Sequence, residues 1–561
     1  MLPRCIVSTA IAALVVFIQP SLVDAFCSLS TSPCRQQSLY LAYSDNFDHD
    51  VGEKGREDSR GRRQEYLATC IPGLAPYLEK ELSDCGVSST QVLSDAAVSF
   101  SVSDETVPLK VLLWVRTAHR LLEKIDTFFD LESRDDVYDA VQNCRLPVKD
   151  LLGDGQGGLL SLSVKVIANG RLPKDISHSH YTALTIKNAL VDQVRQLKDG
   201  ERPDVDLDDP DVPLVAIFHG QGMRADMTMY RSLAPPGSLH KRGYRSGGAI
   251  HKAAMKESLA AGLLLAAGWN EAVHSVKKAI EENDSAEGLT LVDPMCGSGS
   301  LLVEAAMMTV NFPPGLMRII NHVPGHQVPP VLRWKGNKDS LMPIWKEMLL
   351  GASTTVKKQF AWLSEHDGII NLIGNDIHPG ALELVEASLK SAGGLDRLVD
   401  LHQNDCQEWN VLQGQAHDDK QVWVVTNPPW GVRLTDDDHM SWESLRTFLR
   451  TNCPPGRTQA WVLSGNKLAT KHLGLRRSQS VVAKTGQQDL RWIQYKILEK
   501  REVYDNKPDS NQDAQVSSDD SNPPRRIMRT RNVNNLPSTQ VRRRTKKPPS
   551  KNVSNADDSW I

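Results

Sequence analysis

The chain has 561 residues, of which 40% are hydrophobic and 24% charged, and its formal net charge is −3. That length gives about three domains plus tails, and the apolar share fits a globular protein with a sizeable core. Overall basicity as the basis of nucleic-acid binding is excluded, so any basic surface must be local, and nine scattered cysteines with no C-x-x-C argue against a zinc site or a disulfide scaffold and for reduced thiols; no metal is expected.

Arg4 precedes an apolar run from Cys5 to Ile18, and Val23-Asp24-Ala25 then offers small residues for signal cleavage before Phe26. The run is too short to span a bilayer comfortably. Residues 1–64 therefore read as presequence and linker. The "VDAF" junction resembles that of bipartite plastid presequences, which implies import into a plastid; a plain secretory signal and a mitochondrial address are the alternatives.

Leu74, Leu78 and Leu82 recur at helical spacing, and Gly86 suits a helix stop. "VLLWVRTAHRLLEKI" (111–125) reads as a second amphipathic helix. "SLSVKVIA" (161–168) alternates Leu162, Val164 and Val166 with polar residues, the period of a half-buried strand. "HYTALTIKNALVDQV" (180–194) puts Ile186, Leu190 and Val194 on one helix face, and residues 213–220 and 224–230 read as strands. Ala234-Pro235-Pro236-Gly237 marks a domain boundary. Beyond it strands and helices alternate, the pattern of a doubly wound parallel sheet. From Arg501 the chain is too poor in large apolar residues to offset ordering entropy and is expected to be disordered. Its basic clusters, Arg525-Arg526 and Arg542 to Lys547, fit either a solvated tail or a nonspecific phosphate-binding arm.

"LTLVDPMCGSGSLLVEAA" (289–306) is the strongest local signal. A buried strand ends at Asp293, and Cys296, Gly297, Ser298, Gly299 and Ser300 turn tightly into a helix. Glycine lets backbone approach a ligand, and the helix start can hold an anion. A dinucleotide fingerprint fails because position 302 is Leu, and no nucleotide-hydrolysing P-loop motif occurs here. An acid at the strand end followed by G-x-G suits S-adenosylmethionine. "NLIGNDIHPGALELVEASLKSAG" (371–393) reads as strand, Asp376 and helix, which places a carboxylate where both ribose hydroxyls could bind. Asp405 stands at the end of a third strand, either as acceptor for the adenine amino group or as a plain surface charge. An insertion, about 311–368, separates the first two strands.

"VVTNPPWGVRL" (424–434) supplies the chemistry. Two prolines cannot continue a strand, so Val424 and Val425 end one and Asn427 to Trp430 form a stiff loop beyond it, presenting an exposed tryptophan. An exocyclic base amine is a weak nucleophile, because its lone pair is delocalised into the ring. Acceptors that take its two hydrogens can aim that lone pair at a methyl group. The Asn427 oxygen and the Pro428 carbonyl, stiffened by Pro429, can do so, and Trp430 can stack on an unstacked base. A capped loop with a core tryptophan is the plain alternative.

Acid-x-x-C-G-S-G, a strand-end Asp and N-P-P-aromatic, in that order, resemble the class I amino methyltransferases. "GSLHKRGYR" (237–245), "MKESLAAGLLLAAGW" (255–269) and "FPPGLMR" (312–318) resemble segments of the bacterial 23S rRNA guanine-N2 methyltransferases. "YLATCIPGL", "VLLWVRTAHRLL" and "HYTALTIKNALVDQV" resemble that family's ferredoxin-like piece and THUMP domain. The resemblance covers about residues 65–500. It implies an α/β fold in which a Rossmann-like methyltransferase domain (235–500) follows a ferredoxin-like domain (65–130) and a THUMP RNA-binding domain (131–234), with a basic tail at 501–561. It implies S-adenosylmethionine contacts at Asp293, the turn Cys296 to Gly299, Asp376 and Asp405, a target-amine site at Asn427, Pro428, Pro429 and Trp430, and ribosomal RNA as partner. Lys187, Lys241, Arg242 and Arg245 are candidate phosphate contacts, with solvated surface charge as the alternative. Ser300 stands for the usual Thr, Trp430 for the usual Tyr and Val432 for a frequent Glu, and a second fused methyltransferase activity is expected to be absent. A tRNA guanine-N2 methyltransferase and a non-catalytic RNA-binding assembly factor are the competing readings. A nicotinamide oxidoreductase fails at Leu302.

Overall fold

A computed structural model of the chain describes residues 63–245, 255–282, 286–413, 420–430, 436–486 and 488–498. The presequence (1–64, all but its last two residues) and the basic tail (501–561) lie outside them.

Seven strands form the first sheet: β1 Gln64–Thr69, β2 Thr90–Ser94, β3 Ala97–Val102, β4 Arg120–Leu131, β5 Leu162–Arg171, β6 Val212–Gln221 and β7 Ala225–Ser232, in the order β2-β3-β1-β4-β7-β6-β5. The long β4 joins its two halves. Near its start it pairs with β1 (Thr69 opposite Arg120), and along its length with β7 (Thr127 opposite Thr228), both antiparallel. The ferredoxin-like and THUMP segments thus share one continuous ladder.

The expected helical faces form. Leu74 at the N-cap and Leu78 and Leu82 within the helix Ala75–Asp84 are fully buried, as are Ile186, Leu190 and Val194 along Ser179–Leu197. The single helix expected over 111–125 does not. A helix spans Val107–Trp114 and stops, and Leu121 and Leu122 belong to β4. The Glu81 carboxylate accepts the Arg116 and Thr117 backbone N–H groups at 2.8 and 3.0 Å, and His119 N–H donates to Thr69 O at 2.7 Å. These bonds take the donors a continuing helix would need.

The second sheet comprises β8 Gly288–Asp293, β9 Ile370–Asn375, β10 Val399–His402, β11 Lys420–Thr426, β12 Thr458–Ser464, β13 Arg477–Thr485 and β14 Gln488–Lys496, in the order β10-β9-β8-β11-β12-β14-β13. The first five in that order are parallel; β14 and β13 close the edge antiparallel. Val292 lies opposite Val424 and Asp293 opposite Gly374, so β8, β9 and β11 end together on one edge.

Buried guanidinium groups tie the segments together. Arg242 donates to Glu304 Oε1 at 3.1 Å, to Leu239 O at 2.9 Å and to Arg116 O at 2.7 Å, and Arg242 and Glu304 are both inaccessible. Arg318, from the "FPPGLMR" insertion, donates to Leu239 O at 2.9 Å and Leu112 O at 2.6 Å, while Arg116 donates to Phe312 O at 3.0 Å. Gly315 lies so close to the helix Val107–Trp114 that an added Cβ would stand 2.6 Å from Leu113 Cα. The insertion is therefore a wedge between the N-terminal sheet and the second domain. Glu304→Ala leaves Arg242 charged, buried and without its carboxylate, and should lower unfolding free energy by about 3–5 kcal/mol in denaturant titrations. Lys390→Ala, which breaks an exposed pair with Glu386, should cost less than about 1 kcal/mol.

Candidate functional site

The turn after β8 adopts the conformation that its glycines predict. Gly297 has φ +53° and Gly299 φ +72°, values that side chains disfavour. The two have different surroundings. A Cβ on Gly299 would stand 2.7 Å from Val385, so the helix Pro379–Ser391 packs against it, whereas a Cβ on Gly297 would meet no protein atom within 4 Å. Gly297 is thus the point where a ligand can approach backbone. The dinucleotide fingerprint's third glycine, which permits close helix–strand packing, has moved to the strand. Leu302 is fully buried against Gly374 of β9, where a Cβ would stand 2.4 Å from Leu302 Cδ1.

Two carboxyl groups frame this turn. Asp293 is buried at the end of β8 and accepts the Met295 N–H at 3.2 Å. Burial pushes its pKa from 3.8 up to about 7; the Asp376 charge adds to the rise, while the Met295 N–H and the nearby Thr426 side chain oppose it. The Thr426 hydroxyl beside it is buried and has no partner in hydrogen-bond geometry among the described residues. Asp376, half-buried beyond β9, accepts Gly297 N–H at 2.9 Å through one oxygen and His378 N–H at 2.9 Å through the other. The second strand end is thereby tied to the glycine turn. Beside them, Asn375 donates to Pro294 O and Asn404 O, both at 3.0 Å, and its side-chain oxygen is buried without a partner among the described residues. Sequence reasoning missed Asn375, because a strand-end Asn gives no signal until its neighbours are placed.

The other expected contacts differ. The Cys296 thiol is buried towards β9, where a Cβ on Gly374 would lie 3.7 Å from its sulfur, and burial raises its pKa; it packs the turn from beneath. Ser298 is half-buried in the turn. Asp405 is exposed three residues past β10 and accepts Gln407 N–H at 2.9 Å.

Asn427 follows β11 directly, half-buried; Pro428 is buried and Pro429 exposed. Trp430 is half-buried rather than exposed: its indole packs over Gly465 and donates to Asn427 Oδ1 at 2.8 Å. Trp442, fully buried and unforeseen, donates to Pro429 O at 2.9 Å and anchors the loop from below.

Residues 280–494 match the RMKL-like methyltransferase domain, 65–122 the RlmL ferredoxin-like domain and 134–221 the THUMP domain. The ribosomal RNA large subunit methyltransferase K/L of Syntrophotalea carbinolica is 31% identical over 448 residues, 78% of this chain and 54% of that protein. The chain is thus similar, at about 30% identity, to ribosomal RNA large subunit methyltransferases K/L. It spans about half the length of the curated relatives it matches. Among solved structures, a possible methylase from Clostridium difficile 630 shares the fold with TM-score 0.59 at 21% identity, covering 78% of this chain and all of that one. SMU.472, provisionally a methyltransferase and solved in complex with SAH, gives TM-score 0.58 at 18% identity, covering 78% and 99%.

The four basic candidates separate. Arg242 is buried in the wedge described above and cannot meet a phosphate. Arg245 donates to Met255 O at 2.8 Å, bonds Ser300 at the start of the helix Ser300–Thr309, and lies 3.9 Å from Glu257; it supports the glycine turn from behind. Lys241 is exposed. Lys187 lines, with Arg195 and Arg202, a surface cleft of about 430 Å³ in the THUMP segment.

Between about pH 4 and 7 the folded chain keeps a proton on Asp293 that the unfolded chain has released, so this residue lowers stability as pH rises through that window. Asp293→Asn should therefore flatten the fall in melting temperature between pH 5 and 7.5, measured by scanning calorimetry without ligand; parallel curves for the two proteins would contradict the assignment.

Proposed function

We propose that this chain is an S-adenosylmethionine-dependent RNA methyltransferase that modifies the exocyclic N2 amine of a guanosine in organellar large-subunit ribosomal RNA. One observation carries the reading: Asp293, the Gly297 turn, Asp376 and the Asn427 loop stand along one edge, at the ends of three adjacent parallel strands. The names of the K/L relatives support the substrate class, and the SAH in SMU.472 supports the cofactor.

The residues suit that cofactor. Asp376 offers carboxylate acceptors, Asp293 a buried carboxyl whose proton a cationic ligand would help to release, Gly297 admits close approach, and Asn375 adds a buried acceptor without a partner among the described residues. A cationic ligand bearing hydroxyl and amino donors answers all of these. Asp376 would hold the ribose hydroxyls, the turn and the start of the helix Ser300–Thr309 the amino-acid end, and Asp405 the adenine amine. When bound, the cofactor supplies an activated methyl group on a sulfonium centre.

The chain's own contribution is positioning. Asn427 Oδ1 and the Pro428 carbonyl accept the two hydrogens of the guanine amine and turn its nitrogen lone pair towards the methyl group. No base is needed before transfer. The nitrogen loses its surplus proton to water afterwards, once the positive charge on it makes that proton acidic. Trp430 offers a ring face to the flipped base.

The full chain, incubated with S-adenosylmethionine and unmodified organellar rRNA, should yield N2-methylguanosine by mass spectrometry of nucleosides; methyladenosine, or modification confined to tRNA, would overturn the assignment. Asn427→Ala should keep cofactor affinity and lose turnover on the order of 100-fold. Asp376→Ala should raise the cofactor dissociation constant by about tenfold or more, read by calorimetry. Residues 1–64 fused to a fluorescent protein should enter plastids, and a mitochondrial signal would replace that address.

A further inference from the structure

The Asn427 oxygen assigned to the target amine already accepts a hydrogen bond within its own loop. Trp430 Nε1–H donates to it at 2.8 Å. The indole is itself constrained. It packs against two large apolar clusters, one confined to the second domain and one shared with the N-terminal segments, and Gly465, just past β12, leaves it no slack: a Cβ there would stand 2.3 Å from Trp430 Cζ3. Between the two residues, the Pro429 carbonyl is held by Trp442 at 2.9 Å. The loop has little freedom to withdraw the indole.

A carboxamide can present either end. Its oxygen accepts two hydrogen bonds and its NH2 only donates. An amine that is to be methylated brings N–H donors, so a flipped Asn427 would set donor against donor. The indole N–H is a donor only, so it pairs with Oδ1 and disfavours the flip. One lone pair of that oxygen takes the indole, and the other is left to accept a second donor. Resting on the amine-methylation reading of this loop, we propose that Trp430 is a positioning residue whose indole N–H sets the orientation of Asn427 Oδ1 for the target amine. A phenylalanine would keep a stacking face and lose this donor; a tyrosine would carry its hydroxyl at the far end of the ring. Stacking alone tolerates Trp430→Phe. Positioning does not.

The test uses the full chain with Trp430→Phe and, separately, with 3-benzothienylalanine in place of Trp430, which keeps the bicyclic shape and lacks only the N–H. Both should slow single-turnover methyl transfer by about tenfold, the scale of one neutral hydrogen bond. KM for RNA and cofactor affinity should stay within about twofold, since neither contact is removed. In an Asn427→Ala background the same ring changes should slow transfer no further, because Trp430 acts through Asn427. Unchanged rates, or slowing that multiplies with Asn427→Ala, would overturn the proposal and leave stacking alone. A second readout needs no RNA. The ¹⁵N-indole resonance that Trp430→Phe removes should shift in Asn427→Ala, and an unmoved resonance would deny the hydrogen bond. An unaltered chain that methylates no guanosine would instead sink the proposed function, with the indole shift still reporting whether the bond exists.

Discussion

The site depends on the parallel register of three central strands. Parallel neighbours end on the same edge, and β8 lies between β9 and β11 with Asp293 opposite Gly374 and Val292 opposite Val424. That pairing brings residues 293, 376 and 427 to one rim from far apart in the chain. A slip of one residue would reverse which face each side chain meets, sending Asp293 and the buried valines to opposite surroundings. The buried Val424 and Val425 of β11 and Leu291 and Val292 of β8 make such a slip costly, so the core fixes the geometry of the rim.

The rim is then braced rather than left to loop entropy. Asp376 bridges to the Gly297 N–H, Asn375 spans Pro294 and Asn404, Arg245 supports Ser300, and Trp442 holds the Pro429 carbonyl. Most of these bonds join a side chain to backbone, which orders the loops at low cost in mobile surface. The carboxyl of Asp293 carries the opposite burden. Beside it, the Thr426 hydroxyl and the Asn375 side-chain oxygen are also buried without partners among the described residues, so polar groups with perturbed surroundings gather at this rim.

The N-terminal sheet is coupled to this domain through buried charge. Arg116, Arg242 and Arg318 each spend their donors on backbone carbonyls that cross segment boundaries, and Glu304 answers Arg242 directly. Such a lock holds orientation through directional bonds, which an apolar contact of the same size would leave looser. It also explains why a basic run that looks like a phosphate contact contributes a core residue. In "KRGYR", Lys241 is exposed, Arg242 fully buried, and Arg245 turned towards Ser300 at the glycine turn.

Features governed by local rules were legible in the chain itself. Helix-spaced leucines, the glycine turn, the strand-end acids and the proline-stiffened loop depend on φ preferences and on periodicity within a few residues, and each forms as its pattern predicts. The segment 111–125 misled because its periodicity is helical, while the bonds that end the helix come from Glu81 and Thr69. Trp430 misled in the same way: nothing near it in sequence announces Gly465, so its burial and its bond to Asn427 were invisible. Partners distant in sequence and desolvation by the whole core decide such features, and both exist only once the chain has folded. The residue types that could do the chemistry are thus written in the chain, and tertiary packing decides which atoms of them remain free to act.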